Sequence, residues 1–169
     1  MTNRKTRSNS PLKARRKTLN KVIVPLLLLL SFSCNQDLAY HKFSTIDGFV
    51  WEKDKSYNFT FAIENTSIPY DIDIHLRNNH SYPYRNLWVI CNTTFPSGIF
   101  LRDTLNFIVA DQSGKWSGDG ISLFHNAISF RKEYHFLEKG NYTISIRQAM
   151  TDQSLEGIQE IGISVKKTK

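Results

Sequence analysis

Between Tyr70 and Arg77 the chain alternates apolar and polar residues without a break, and this pattern constrains the fold more than anything else in the sequence. Successive side chains of a β-strand point to opposite faces. Tyr70, Ile72, Ile74 and Leu76 therefore share one face, and Asp71, Asp73, His75 and Arg77 share the other, which is expected to meet water. The same period recurs. Tyr57, Phe59, Phe61 and Ile63 line one side of a second segment, and Tyr142–Arg147 alternates after a Lys139-Gly140-Asn141 turn. Leu87–Thr93 is more continuously apolar and reads as a central strand. Thr104–Ala110, Ile128–Phe136 and Ile161–Val165 complete the set, the second of them with a weaker pattern. Ser154–Gly157 reads as a single helical turn, and no longer segment carries an apolar stripe at helical spacing. About seven short strands separated by turn residues predict an all-β chain, a single antiparallel β-sandwich of Ig-like or jelly-roll-like type. One wet face per strand fits antiparallel pairing. A closed barrel is the other arrangement open to such a pattern.

The N-terminus is of a different kind. Met1–Lys21 carries eight Lys/Arg and no acid, and is followed by the apolar run Val22–Leu30 and then Ser31-Phe32-Ser33-Cys34. A basic region, a short apolar region and a small residue before the cut form a secretory signal. The apolar run is shorter than the roughly 20 residues a membrane-spanning helix needs. Ser33 followed by Cys34 predicts cleavage before Cys34 and lipidation of its thiol, although Phe32 and the position of Leu30 depart from the usual lipobox. An ordinary signal peptide and an uncleaved anchor are the other readings of the segment. The resulting division is a signal peptide over residues 1–33, a lipidated tether over 34–45, and a sandwich domain over 46–169.

Removing the leader changes the electrostatics. The full chain has 22 Lys/Arg and 15 Asp/Glu, a net charge of +7, but eight of the basic residues lie in the leader. The remainder is close to neutral, so nothing suggests a nucleic-acid surface. With Cys34 lipidated, Cys91 has no disulfide partner. Its place on the Leu87/Val89 face makes it a small buried apolar residue.

The segment Asp111-Gln-Ser-Gly-Lys-Trp-Ser-Gly-Asp-Gly120 is the candidate interaction site. Trp116 on a Gly-rich loop, beside Lys115, Asp111 and Asp119, is suited to anchor a partner, because Trp buries a large area at little entropy cost. It is equally suited to fold back and cap one end of the sandwich. Asp111, Ser113 and Asp119 do not follow the ligand order of an EF-hand loop, and no metal is assigned to them. Asp71, Asp73 and His75 have a spacing that could hold a metal, and it is also the wet face of any amphipathic strand. No nucleophile elbow, HExxH motif or phosphate-binding glycine loop is present, so no catalytic residue, cofactor or small-molecule substrate is assigned. Asp103-Thr104-Leu105 resembles an O-glycosylation tripeptide of the Bacteroidetes, and Thr104 otherwise opens a strand.

Several segments carry a family resemblance. Tyr82-Pro-Tyr-Arg-Asn-Leu-Trp88, Asp103-Thr-Leu105, the loop Ala110–Gly120, Gly140-Asn-Tyr142, Gln148-Ala-Met150 and Leu155-Glu-Gly-Ile158 together resemble the GldH gliding-motility lipoproteins of the Bacteroidetes. Where that family shows Met-Arg, this chain has Met150-Thr151. The resemblance implies a non-catalytic cell-envelope lipoprotein, held to a membrane through lipid on Cys34, the outer membrane favoured over the inner. Its implied partners are other envelope proteins of the gliding and linked type IX secretion machinery. A glycan-binding lipoprotein is the alternative, suggested by Trp51, Trp88 and Trp116. A row of coplanar exposed aromatics favours it, and a bare edge strand or one exposed apolar patch favours a protein partner.

Overall fold

The computed structural model describes residues 38–168, so the leader and Cys34 lie outside the described residues. Ten strands run in the order β1 (Leu38–Thr45), β2 (Val50–Glu52), β3 (Ser56–Ile63), β4 (Tyr70–Asn79), β5 (Asn86–Thr94), β6 (Phe100–Ile108), β7 (Leu123–Tyr134), β8 (Gly140–Gln148), β9 (Ser154–Glu156) and β10 (Ile158–Lys167). One 3₁₀ turn, Asp47–Phe49, links the first two. The strands form two four-stranded antiparallel sheets, β1-β10-β4-β7 and β3-β8-β5-β6, packed as a sandwich, with β2 and β9 as a separate two-stranded ribbon. Within the described residues only β5 and β6 are both consecutive in sequence and directly paired. The other pairings join distant segments, as when the C-terminal β10 inserts between β1 and β4.

The alternating segments meet between the sheets. Ile72, Ile74 and Leu76 of β4 and Ile161, Ile163 and Val165 of β10 pack from one sheet. Phe59, Phe61 and Ile63 of β3, Leu87, Val89 and Cys91 of β5, and Tyr142, Ile144 and Ile146 of β8 pack from the other. Each fully buried Ile or Leu contributes about 1.5–3 kcal/mol relative to exposure, which is why the pattern fixes the faces so firmly. Burial raises the Cys91 thiol to about 12, with the Asp103 carboxylate adding to the effect. That value is incompatible with a reactive thiolate.

Several expectations are corrected. Leu38–Thr45, read as part of a tether, is strand β1 and pairs with β10 from Leu38–Lys166 to Thr45–Glu160. It hides from a period-two reading because Tyr40 packs inward against Phe61 while Phe43 lies over the outer face. A bulge between Leu38 and Tyr40 shifts the register further. Ser154–Gly157 is not a helical turn: Ser154–Glu156 is β9, and Gly157 reverses direction at φ +80°. Strand β6 starts four residues before Thr104, and β7 starts five before Ile128. Bulges where β7 pairs with Ile72 and Asp73 explain its weak alternation. His75, expected on a wet face, is buried, covered by Phe43, His41 and His125.

Candidate functional site

One end of the sandwich gathers most of the sequence motifs. The β4–β5 loop leads there. Asn79 turns the chain by accepting the Ser81 N–H through its side chain at 2.8 Å. Tyr82 is buried, and its hydroxyl donates to the Asn86 carbonyl at 2.8 Å. Gly157 packs directly beneath this loop. A Cβ on it would lie 2.3 Å from the Tyr82 nitrogen, so only glycine permits the approach. The Asn79 N–H donates to the Gly157 carbonyl at 2.8 Å, tying the β9–β10 corner to the loop.

The Gly-rich loop docks beside it. The Arg85 carbonyl accepts both the Val109 and Ala110 N–H groups, at 2.9 and 3.1 Å. Asp111 organises the tip, where one carboxylate oxygen accepts the Ser113 N–H at 2.8 Å, the Ser113 hydroxyl at 2.7 Å and the Lys115 N–H at 3.0 Å. The hydrogen bond from the Ser113 hydroxyl, followed by that from the Lys115 backbone, lowers the Asp111 pKa. The carboxylate is thus committed to its own loop. Trp116 is half-buried. Its ring stacks on Phe124 at 5.3 Å and 20°, and its indole N–H donates to His80 Nδ1 at 3.1 Å. Asp119 is exposed and meets His125 through backbone pairing. Lys115 is exposed at the tip.

The third segment follows β8. Gln148 is buried, accepts the Met150 N–H at 2.9 Å and donates to the Asp152 carbonyl at 3.1 Å. The Tyr84 hydroxyl donates to the Asp152 carboxylate, and this bond raises the phenol pKa. The Trp88 N–H donates to Met150 Sδ at 3.3 Å, and the Trp88 carbonyl accepts the Ala149 N–H. A shallow hollow lies beside the β4–β5 loop at the end of β6, lined by Pro83, Tyr84, Arg85, Asn86 and Ile108. Trp88, on the outer face of β5, is 42% exposed.

The sequence reading placed the exposed anchor at Trp116, yet Trp88 presents the more open indole. Trp88 occupies an alternating position in a strand, and only the two-sheet geometry makes that face an outer one. Trp51, grouped with these two in the sequence, lies wholly in the core, its indole N–H donating to the Lys55 carbonyl at 3.0 Å. The three indoles therefore do not form one exposed row.

The Asp71, Asp73 and His75 side chains do not converge. Asp71 accepts the Glu133 N–H, Asp73 pairs with Lys166 at 3.2 Å, and His75 Nε2 meets the Ser164 hydroxyl at 2.9 Å. His75 Nδ1 lies 3.1 Å from His125 Nε2. Burial lowers His75 to about 4, with the neighbouring His125 and His41 adding to the effect, so it is held neutral. Among the described residues, no group of three or more His, Cys, Asp or Glu is placed to hold a metal.

The structure thus defines a two-sheet antiparallel sandwich in which the Tyr82–Trp88, Ala110–Gly120 and Gln148–Asp152 segments are tied together by hydrogen bonds. The chain belongs to the GldH lipoprotein family, whose sequence pattern matches residues 38–165. It is 30% identical over 161 residues to the gliding motility lipoprotein GldH homolog of Christiangramia forsetii, covering 90% of this chain and 98% of that protein. It is 28% identical over 155 residues to the gliding motility lipoprotein GldH of Flavobacterium johnsoniae, covering 87% and 96%. The matched span begins at β1, so the first strand is part of what the family shares.

Proposed function

We propose that this chain is a non-catalytic, lipid-anchored interaction module of the cell envelope, serving gliding motility and the linked type IX secretion pathway. The anchor is lipid on Cys34, and the outer membrane is the favoured location. The observation that carries the reading is the convergence of the Tyr82–Trp88, Ala110–Gly120 and Gln148–Asp152 segments at one end of the sandwich. Bonds from Ala110 to the Arg85 carbonyl, from Tyr84 to Asp152 and from Trp88 to Met150 tie the segments together, which suits a preformed docking surface. Around it stand Tyr84, Arg85, Trp88 and Met150, the residue types enriched at protein interfaces. Trp116, Lys115, Asp111 and Asp119 form the loop side of this surface. Trp116 and Asp111 hold its shape, and Lys115 and Asp119 face the partner.

A photo-crosslinking residue at position 88 or 115, activated in intact cells, is expected to capture envelope proteins identifiable by mass spectrometry. Capture of glycan or lipid alone would refute the reading. Cys34→Ala is expected to leave an unlipidated protein that partitions to the soluble envelope fraction or stalls as precursor. An unmodified Cys34 in the mature wild-type protein would exclude the anchor.

A further inference from the structure

Each sheet has two edges, and a sheet edge presents unpaired N–H and C=O groups that can capture another strand. Three of the four are guarded or plain. Strand β1 carries a bulge, and β7 carries bulges together with Arg131, Lys132 and Glu133. Strand β3 sends only Ser56, Asn58, Thr60 and Ala62 to its outer face. Strand β6 differs. Its nine pairs with β5 run without a shift, as do the eight of β3 with β8, but its ends expose the large apolar Phe100 (64%) and Ile108 (58%) where the outer face of β3 is small or polar.

The β6 sequence is complementary to itself. Thr104 is the central residue of Phe100–Ile108. Antiparallel pairing of two copies about Thr104 sets Phe100 opposite Ile108, Leu101 opposite Phe107, Arg102 opposite Asn106 and Asp103 opposite Leu105. Both exposed apolar ends are thereby covered, each by the other copy's opposite end. Aromatic–aliphatic cross-strand pairs of this kind stabilise, and like charges directly opposite destabilise. Neighbouring registers are worse. Centring one residue earlier leaves Phe107 and Ile108 without a partner in β6, and two earlier sets Arg102 against its own copy. Centring one later sets Arg102 against Ile108 and Asp103 against Phe107, and leaves Phe100 unmatched. An offset that mixes odd and even positions would turn one copy's outer face inward. Asp103 is already neutralised within its own chain by Arg131, at 2.6 Å, so it carries no unpaired charge to the junction.

We propose that two copies of this chain pair through β6 about a two-fold axis at Thr104, joining their β3-β8-β5-β6 sheets into one eight-stranded sheet. The contact is isologous, the commonest symmetry of soluble homo-oligomers. It covers Ile108, which also lines the hollow beside Tyr84 and Arg85, so the contact reaches the rim of the loop-built end.

The test uses the full-length lipidated protein. Residues opposed across an antiparallel pair lie roughly 4.5–5.5 Å apart at Cα, within the span of a disulfide. Thr104→Cys, oxidised in native membranes, is expected to give a linked dimer at least tenfold faster than Asn58→Cys on the β3 edge. Phe100→Cys and Ile108→Cys are each expected to stay unlinked alone and to link when co-expressed with distinguishable tags. Thr104→Lys, which places two ammonium groups on the axis, is expected to halve the mass measured by light scattering in detergent. Equal rates for the Thr104 and Asn58 variants, or no gain on mixing, would overturn the proposal. So would a monomeric wild-type protein at about ten micromolar, a glycan on Thr104 in the mature protein, or Thr104→Cys linking only to a different protein.

Discussion

On the proposed docking surface Trp116 holds the loop in shape and Trp88 meets the partner, and replacing each with alanine separates the two roles. A buried Trp reduced to Ala costs about 3–5 kcal/mol. Trp116 is half-buried, which brings the packing loss to roughly 1.5–2.5 kcal/mol. Losing the stack on Phe124 adds about 0.5–1 kcal/mol. The hydrogen bond to His80 adds little, because the freed imidazole nitrogen reaches water. Trp116→Ala should therefore destabilise by about 2–3 kcal/mol, which lowers the melting temperature by roughly 10 °C for a domain of this size. Trp116→Phe keeps the stack and should recover at least half of that loss. Trp88→Ala removes a side chain lying on an outer sheet face and keeps the main-chain bond to Met150. It should cost under about 1 kcal/mol in folding and over about 2 kcal/mol in partner binding, as interface anchors do. Calorimetric melting and quantitative pull-down on the same preparations decide the matter. If Trp116→Ala melts within about two degrees of the wild type and still loses its partner, the capping role assigned to Trp116 is wrong.

Four further outcomes follow from the packing. Gly157→Ala, with φ at +80° and Tyr82 in the way, should cost at least about 2 kcal/mol in a denaturant titration, and an unchanged midpoint would mean that the corner is looser than described. Ile74→Ala should cost about 2–5 kcal/mol while Asp71→Asn, which keeps its acceptor for the Glu133 N–H, should stay within about 0.5 kcal/mol; reversed costs would invert the β4 faces. His75 falls from its ordinary 6.5 to about 4 in the folded protein, so below about pH 6.5 the unfolded chain takes up the extra proton and stability should decline toward pH 4. Above that window the contribution is complete, His125 is shifted in the same direction, and His75→Gln should flatten the slope in equilibrium unfolding followed against pH. Cys91 should resist alkylation at pH 8 in the native protein and react on unfolding, read as the mass of its own peptide; rapid native labelling would contradict its burial.

The sequence alone determined which segments are strands and which faces are buried, wherever one face is wholly apolar. Tyr70–Leu76, Phe59–Ile63 and Tyr142–Ile146 were legible because burying apolar area dominates the free energy and the β pleat converts it into a period of two. It determined the family as well, through short runs whose residue types are specific in combination. It did not determine what depends on pairing between distant segments. Strand β1 escaped because an edge strand with Tyr40 on one face and Phe43 on the other has no single apolar side. His75 read as solvated because the Phe43 and His125 that cover it come from segments 32 residues before and 50 after it. Trp51, Trp88 and Trp116 are equivalent as letters, and only the stacking of two sheets sends one to the core, one to an outer face and one into a loop corner. Local periodicity records how much of each strand is buried; which partner buries it is a long-range property that no local pattern encodes.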